Sequence, residues 1–202
     1  MIKASDVKKL RDQTGAPMMK VKEALKEAQG NIDKAIEILR KKGAEIAAEK
    51  SSRAANEGII ASYVHTNNKV GVLVELSCET DFVARNEEFQ QLGKDLAMQV
   101  AAMKPLVIDP KDYDKAALEK EQAIYREQIK KEKKPKAIKE KIIAGKIKKF
   151  TEEASLLKQK FIKDDKLTIE TLITDLVGKL KENIQIKRFV RFEVGQPTII
   201  SK

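Results

Sequence analysis

Glu75-Leu76-Ser77-Cys78-Glu79-Thr80-Asp81-Phe82-Val83-Ala84-Arg85-Asn86-Glu87-Glu88-Phe89 is the stretch on which the reading of this chain turns. Its first residues close an apolar run with a period of two, and its last open a run with helical spacing. Asp81-Phe82 falls at the junction, where the chain changes direction and side chains project outward. Two readings of Phe82 are open. Either the ring folds back to cap a sheet, or it stands out of the surface to meet something else.

On the strand side, Val70, Val72, Val74, Leu76 and Cys78 alternate with Gly71, Leu73, Glu75 and Ser77, so the first set faces helices. Ile59 to His65 reads as a preceding strand, joined through Thr66-Asn67-Asn68-Lys69, whose asparagine pair favours a tight hairpin. Gly58 opens this part of the chain. On the helix side, Phe89, Leu92, Leu96 and Val100 share one face of a helix running from Asn86 or Glu87 to Met103, with Gly93 allowing close approach. Pro105 and Pro110 punctuate the exit, and Asp112 to Lys131 reads as a charged surface helix. Ile138, Ile142, Ile143, Ile147, Phe150, Ala154 and Leu157 then recur at helical spacing through the most basic stretch, Lys130 to Lys149. Thr168 caps a helix with Ile169, Leu172, Ile173, Leu176 and Leu180 inward. Ile184, Ile186, Val190, Phe192 and Val194 form the buried face of a last strand, with Phe189 on its other side.

Residues 4 to 43 read as three short helices. Val7 and Leu10 lie on the first, which Ser5 caps and Thr14-Gly15 ends; Pro17 starts the second, whose inner face is Val21, Ala24, Leu25 and Ala28. Gly30 stops it, Asn31 caps the third, and Ile32, Ala35, Ile36 and Leu39 face inward before Gly43 closes the group. The expected fold class is α+β. A three-helix domain covers residues 1–43 and a helical linker 44–57, through which the small domain reorients. A core domain over 58–202 packs a three-stranded antiparallel sheet with helices.

Composition narrows the classes of function. A chain of 202 residues with 42% hydrophobic side chains buries a sizeable core in one or two domains, and no run approaches the roughly 18 apolar residues of a membrane helix. Met1 to Asp6 leads straight into a helical pattern rather than a signal peptide, so the protein is expected to stay where it is made. Cys78 is the sole cysteine, which excludes an intramolecular disulfide and any multi-cysteine zinc site and fits a reducing cytoplasm as a buried small hydrophobe. A net charge of +10 raises nucleic acid as a partner. Most of the lysines, however, interleave with Glu along helices, and with no Trp a stacking platform is poorly supplied. His65, the only histidine, sits at a strand end without the partners of a triad. There is no G-x-x-x-x-G-K-S/T loop, no H-E-x-x-H and no G-x-S-x-G. Covalent catalysis is not expected, nor is a bound metal or cofactor.

Thr80-Asp81-Phe82-Val83-Ala84-Arg85-Asn86, with Cys78 before and Phe89 after, closely resembles the signature of the elongation factor Ts family. Thr14-Gly15-Ala16-Pro17-Met18-Met19, Leu156 to Asp164, Lys181-Glu182-Asn183-Ile184 and Arg188 to Glu193 extend the resemblance over essentially the whole chain. Val21 stands where the family often has Cys, and Lys160 where a small residue or Pro is expected.

The resemblance implies a guanine nucleotide exchange factor for elongation factor Tu, cytoplasmic, with an N-terminal domain of the ubiquitin-associated type. Thr80, Asp81, Phe82 and Val83 would form a tip that enters the GTPase beside its magnesium and phosphates. Arg11, Met18, Met19 and Lys22 would contact the GTPase from the N-terminal domain, one methionine facing inward and one outward. No direct nucleic-acid or membrane contact is implied, while a homodimer through the core is allowed. The match is to the short form, without the duplicated subdomain or protruding helical hairpin of longer members. Two rivals stand beside it: a nucleic-acid binder using Lys130 to Lys149, and, by fold analogy alone, an adaptor for ubiquitin-like proteins using residues 4 to 43.

Overall fold

Gly15 ends the first helix as its position demands, with φ 63° and its N–H bonded to the Arg11 carbonyl. In a computed structural model that describes residues 2–130 and 135–201, this helix is α1 (Ala4–Thr14), followed by α2 (Met18–Glu27) and α3 (Ile32–Lys50). Ser5 is not its cap: Lys3 holds that position, and Ser5 lies inside the helix. Asn31 does cap α3, accepting from the Lys34 N–H at 3.0 Å. Val7, Leu10, Val21, Ala24, Leu25, Ala28 and Ala35 form the small core of the three helices.

The chain then runs through β1 (Glu57–Val64), β2 (Val70–Cys78), α4 (Asp81–Ala84), α5 (Glu87–Met103), α6 (Lys115–Lys130) and α7 (Lys136–Ala154). It finishes with β3 (Lys160–Phe161), β4 (Asp164–Thr168), α8 (Ile169–Leu180), β5 (Gln185–Glu193) and β6 (Ile199–Ser201). These elements divide between two compact units.

One unit comprises Met1–Ile60, Glu75–Gly93 and Thr171–Gln185. Gly43 does not end α3 here. The helix runs on to Lys50, and Gly43 is buried where α8 crosses it; a Cβ placed on Gly178 would approach the Gly43 Cα to 3.3 Å. The missing side chain of Gly178 is what lets the two backbones come so close. Helical structure in the expected linker thus stops at Lys50, and Glu57 already belongs to β1.

The second unit comprises Ala61–Val74, Lys94–Glu170 and Ile186–Lys202. The main sheet has four strands in the order β1-β2-β5-β6, not three. A turn with Gly195 at φ 77° reverses the chain after β5, so that Val190 pairs with Ile200 and Phe189 with Ser201. A three-residue strand gives too short an apolar run to stand out in a sequence. A separate two-stranded sheet, β3 with β4, was also not expected.

The inner face of β5 differs from the simple alternation. Ile186 is buried, Lys187 and Arg188 are both exposed, and from there Phe189 and Arg191 point inward while Phe192 (54% exposed) and Val194 (72%) point out. The buried guanidinium of Arg191 donates to the Ala101 carbonyl and pairs with Glu193 at 2.7 Å, which is what makes a charge tolerable there.

α6 and α7 pack on one another as a helical pair, with Lys146 Nζ 5.3 Å from the Tyr125 ring centre. Only Ile143 and Ala154 of the α7 stripe are buried, and Ile138 is exposed. Residues 131–134 of the basic stretch lie outside the described residues.

Candidate functional site

Thr80 lies just past β2 in extended geometry (φ −129°, ψ 156°) and N-caps the single helical turn α4, its side-chain oxygen accepting from the Val83 N–H at 3.4 Å. The Thr80 carbonyl takes the Ala84 N–H at 3.2 Å, and the Asp81 carbonyl the Arg85 N–H at 3.1 Å. Asn86 then accepts from the N–H groups of Glu88 and Phe89, starting α5. Two caps six residues apart along the sequence therefore turn a strand into a helix through one tight corner.

The four predicted tip residues sit together on that corner. Phe82 is 79% exposed, whereas Phe89 is fully buried. The open alternative, a ring folded back over the sheet, is not what the fold adopts. Asp81 is half-exposed and pairs with Arg85 one turn on, at 2.9 Å. An exposed pair of this kind contributes about 0–1 kcal/mol, so it orients Asp81 without anchoring the corner.

What does anchor it lies a hundred residues away in sequence. Glu182, just past α8, accepts from the N–H groups of Glu79 and Thr80 at 3.1 Å each and from the Thr80 hydroxyl at 2.6 Å. In return, the Asn183 N–H donates to Glu79 at 2.8 Å, and Arg53 lies 3.5 Å from the same carboxylate. The Asn183 amide also donates to the Arg53 carbonyl at 2.7 Å. Sequence reasoning assigned no role to Glu182, Glu79 and Arg53, since no periodicity links them; Lys181-Glu182-Asn183-Ile184 stood out only as part of the resemblance.

Cys78 completes the cradle, its Sγ–H donating to the Thr80 carbonyl at 3.1 Å. Burial, and after it the charge of Glu182, pushes this thiol up to about 11. It is a neutral donor at physiological pH rather than a nucleophile.

The second predicted group lies at the start of α2 and on the adjoining face of α1. Met18 (54%) and Met19 (65%) are both exposed, which corrects the expectation of one inward methionine; Val21, fully buried, fills that place instead. Arg11 and Lys22 are exposed as well. Beside this loop runs Lys179, whose side chain occupies the space a Cβ on Gly15 would need and whose Nζ donates to Glu88 at 2.9 Å. Lys179 thus joins the loop before Met18 to the helix that follows Phe82. His65 is solvated, its Nδ1 3.0 Å from the Tyr63 hydroxyl. Among the described residues no cluster of His, Cys, Asp and Glu is placed to hold a metal, and no helix is long and apolar enough to cross a membrane.

An aromatic side chain held out in solvent on a hydrogen-bonded corner, with two exposed methionines on a second surface, is the anatomy of a protein that acts by docking to another. Comparison with known proteins identifies which kind. Residues 2–196 match the family described as Elongation factor TS. Elongation factor Ts of Thermosipho melanesiensis is 56% identical over 196 residues, covering 97% of this chain and 100% of that protein. Elongation factor Ts of Thermodesulfovibrio yellowstonii is 55% identical over 195 residues, 96% of this chain and 97% of that one. The chain belongs to the elongation factor Ts family. Membership implies a nucleotide-exchange role toward elongation factor Tu in translation elongation, not the catalysis of covalent chemistry.

Proposed function

We propose that this protein binds GDP-loaded elongation factor Tu in the cytoplasm and speeds GDP release by forcing open the site that holds magnesium and the phosphates. Phe82 acts as the wedge, with Thr80 and Val83 shaping the turn that carries it. Asp81 disturbs the groups around the metal. Magnesium matters because its loss removes the counter-charge of the phosphates. Met18, Met19, Arg11 and Lys22, on an N-terminal domain of the ubiquitin-associated type over residues 1–43, hold the GTPase elsewhere, with 44–57 as linker and 58–202 as core. The chain itself needs no cofactor or metal for this. Exchange follows from linkage: a factor that prefers the nucleotide-free GTPase must be weakened by nucleotide to the same degree that it weakens nucleotide.

One observation carries the proposal: the Phe82 ring is 79% exposed on a corner braced by Thr80 and Glu182. Burying such a ring in a partner contributes roughly 1.5–3 kcal/mol, about one to two powers of ten in nucleotide affinity. The rest must come from Asp81 and the second surface. Release of a fluorescent GDP analogue from elongation factor Tu, followed with wild-type protein and Phe82→Ala, tests it.

We further propose that two copies pair through the outer face of the main sheet. Leu73 on β2, Phe192 on β5 and Ile200 on β6 are exposed there, and the pairing of Val190 with Ile200 sets β5 and β6 side by side on that face. A self-complementary apolar face of this kind favours a two-fold pair. Nucleic acid is not proposed as a partner. Lys130, Lys148 and Lys149 lie 3.3, 3.8 and 3.7 Å from Glu127, Glu152 and Glu153, which offsets part of the positive charge of the helical pair. Strongly salt-dependent gel shifts without any effect on GDP release would reverse that choice.

A further inference from the structure

We propose that Glu182 is a positioning residue for exchange, setting the direction in which α4 presents Phe82; this rests on the assignment of Phe82 as the wedge. Its carboxylate accepts from Glu79 N–H, Thr80 N–H and Thr80 Oγ1 at 3.1, 3.1 and 2.6 Å, and these are the two residues immediately before α4. Because the Thr80 hydroxyl gives its proton to Glu182, its lone pairs are left facing the Val83 N–H at 3.4 Å. The carboxylate therefore decides which way the cap of α4 points. Charge-assisted bonds of this geometry are roughly twice as strong as neutral ones.

The bracing reaches further than the corner. Glu79 receives the Asn183 N–H and lies beside Arg53, and the Asn183 amide donates to the Arg53 carbonyl, just after the end of α3. Through Glu79 and Asn183, the same cluster ties the tip to the chain just past α3, the helix on which α1 and α2 pack. A shift of α3 against α8 would be felt at Thr80, and the converse also holds.

Glu182→Gln is the informative variant, since it keeps size and shape but turns one accepting oxygen into an NH2 that faces N–H and O–H donors. Thr80→Val removes the hydroxyl at constant volume. With Glu182→Gln we expect the maximal rate of stimulated GDP release at saturating factor to fall about fivefold, with the half-saturating concentration within about twofold of wild type. The double variant Glu182→Gln/Thr80→Val should be no slower than the worse single one. In a background lacking both tip side chains, Asp81→Ala/Phe82→Ala, Glu182→Gln should change nothing further. A merely structural carboxylate would lower the melting temperature and slow release equally in both backgrounds, and that result would overturn the proposal.

A readout independent of the partner separates this failure from failure of the wedge. With 4-fluorophenylalanine at position 82, Glu182→Gln should narrow and shift the fluorine signal of the free, folded protein as the corner loosens. An unchanged signal overturns the role given to Glu182, whatever the exchange assay shows. A Phe82→Ala variant that releases GDP as fast as wild type sinks the wedge alone.

Discussion

Replacing Phe82 with Ala separates a ring kept for a partner from a ring kept for the fold. Full burial of a Phe side chain is worth roughly 1.5–3 kcal/mol. With 79% of Phe82 still in water, about 1.2–2.4 kcal/mol remains to be gained on docking, or about 8- to 60-fold in rate if the contact forms only as nucleotide leaves. The variant should therefore slow stimulated GDP release by that factor while shifting stability by no more than about 0.5 kcal/mol, the range of an ordinary surface change. Phe89→Ala is the matched control. That ring is fully buried at the start of α5, so its loss should cost about 3–5 kcal/mol in unfolding free energy. Stopped-flow release of fluorescent GDP across a range of factor concentrations gives the maximal rate and the half-saturation point separately. A lower maximum with unchanged half-saturation marks interaction made only on the way to release. If half-saturation alone rises, Phe82 is an anchor and not a wedge; if neither moves, the ring has no part in exchange.

Other perturbations probe other parts of the molecule. Met18→Ala and Met19→Ala should each raise the half-saturating concentration about 5- to 20-fold, from the half or more of each side chain still exposed, and leave the maximal rate alone; a fall in the maximum would remove the distinction between the two surfaces. Cys78, raised from 9.0 to about 11 in the fold, stays protonated in the native state while the unfolded chain ionises. Its contribution to stability is complete below pH 9 or so and declines as pH rises toward about 11. Urea midpoints of wild type and Cys78→Ala at a series of alkaline pH values should converge across that window, and parallel curves would refute the assignment. Phe192→Asp, on the outer sheet face, should turn a dimer into a monomer by light scattering at unchanged melting temperature, whereas a wild-type monomer at all concentrations would dismiss the pairing.

Much of the fold was legible because its segments are locally consistent. The apolar face of β2, the stripe of Phe89, Leu92, Leu96 and Val100 on α5, and the Asn31 cap all follow from spacing and side-chain chemistry, and each is where the pattern put it. The errors share a cause. Phe192 and Phe189 exchange faces because the alternation slips at Lys187 and Arg188, and no residue type announces a slip. Arg191 is buried because Ala101 and Glu193 are there to receive it, which only the fold reveals. Gly43 was taken for a stop, when α3 runs on through it to Lys50 and Gly178 of α8 packs closely on its backbone. At the tip, Thr80 to Asn86 could be read locally, but what keeps that corner rigid is Glu182, more than a hundred positions away.

On the proposed mechanism, that bracing is what would make one small turn sufficient. Fixing a flexible residue costs about 1–2 kcal/mol of backbone entropy, so ordering Thr80 to Val83 only on contact would cost about 4–8 kcal/mol. The Phe82 ring returns roughly 1.5–3 kcal/mol when it is buried. A floppy loop bearing the same ring would therefore lose more on docking than the ring gains, and nothing would be left to weaken the hold on GDP. In this fold the entropy is lost during folding instead, when Thr80 caps α4, Cys78 donates to the Thr80 carbonyl and Glu182 closes on the strand end. On the proposed mechanism the partner would then meet a wedge already in place, and the docking energy of the ring would be available to act on the nucleotide site. A protein of this kind can afford an exposed Phe because the polar groups beneath it are fully engaged.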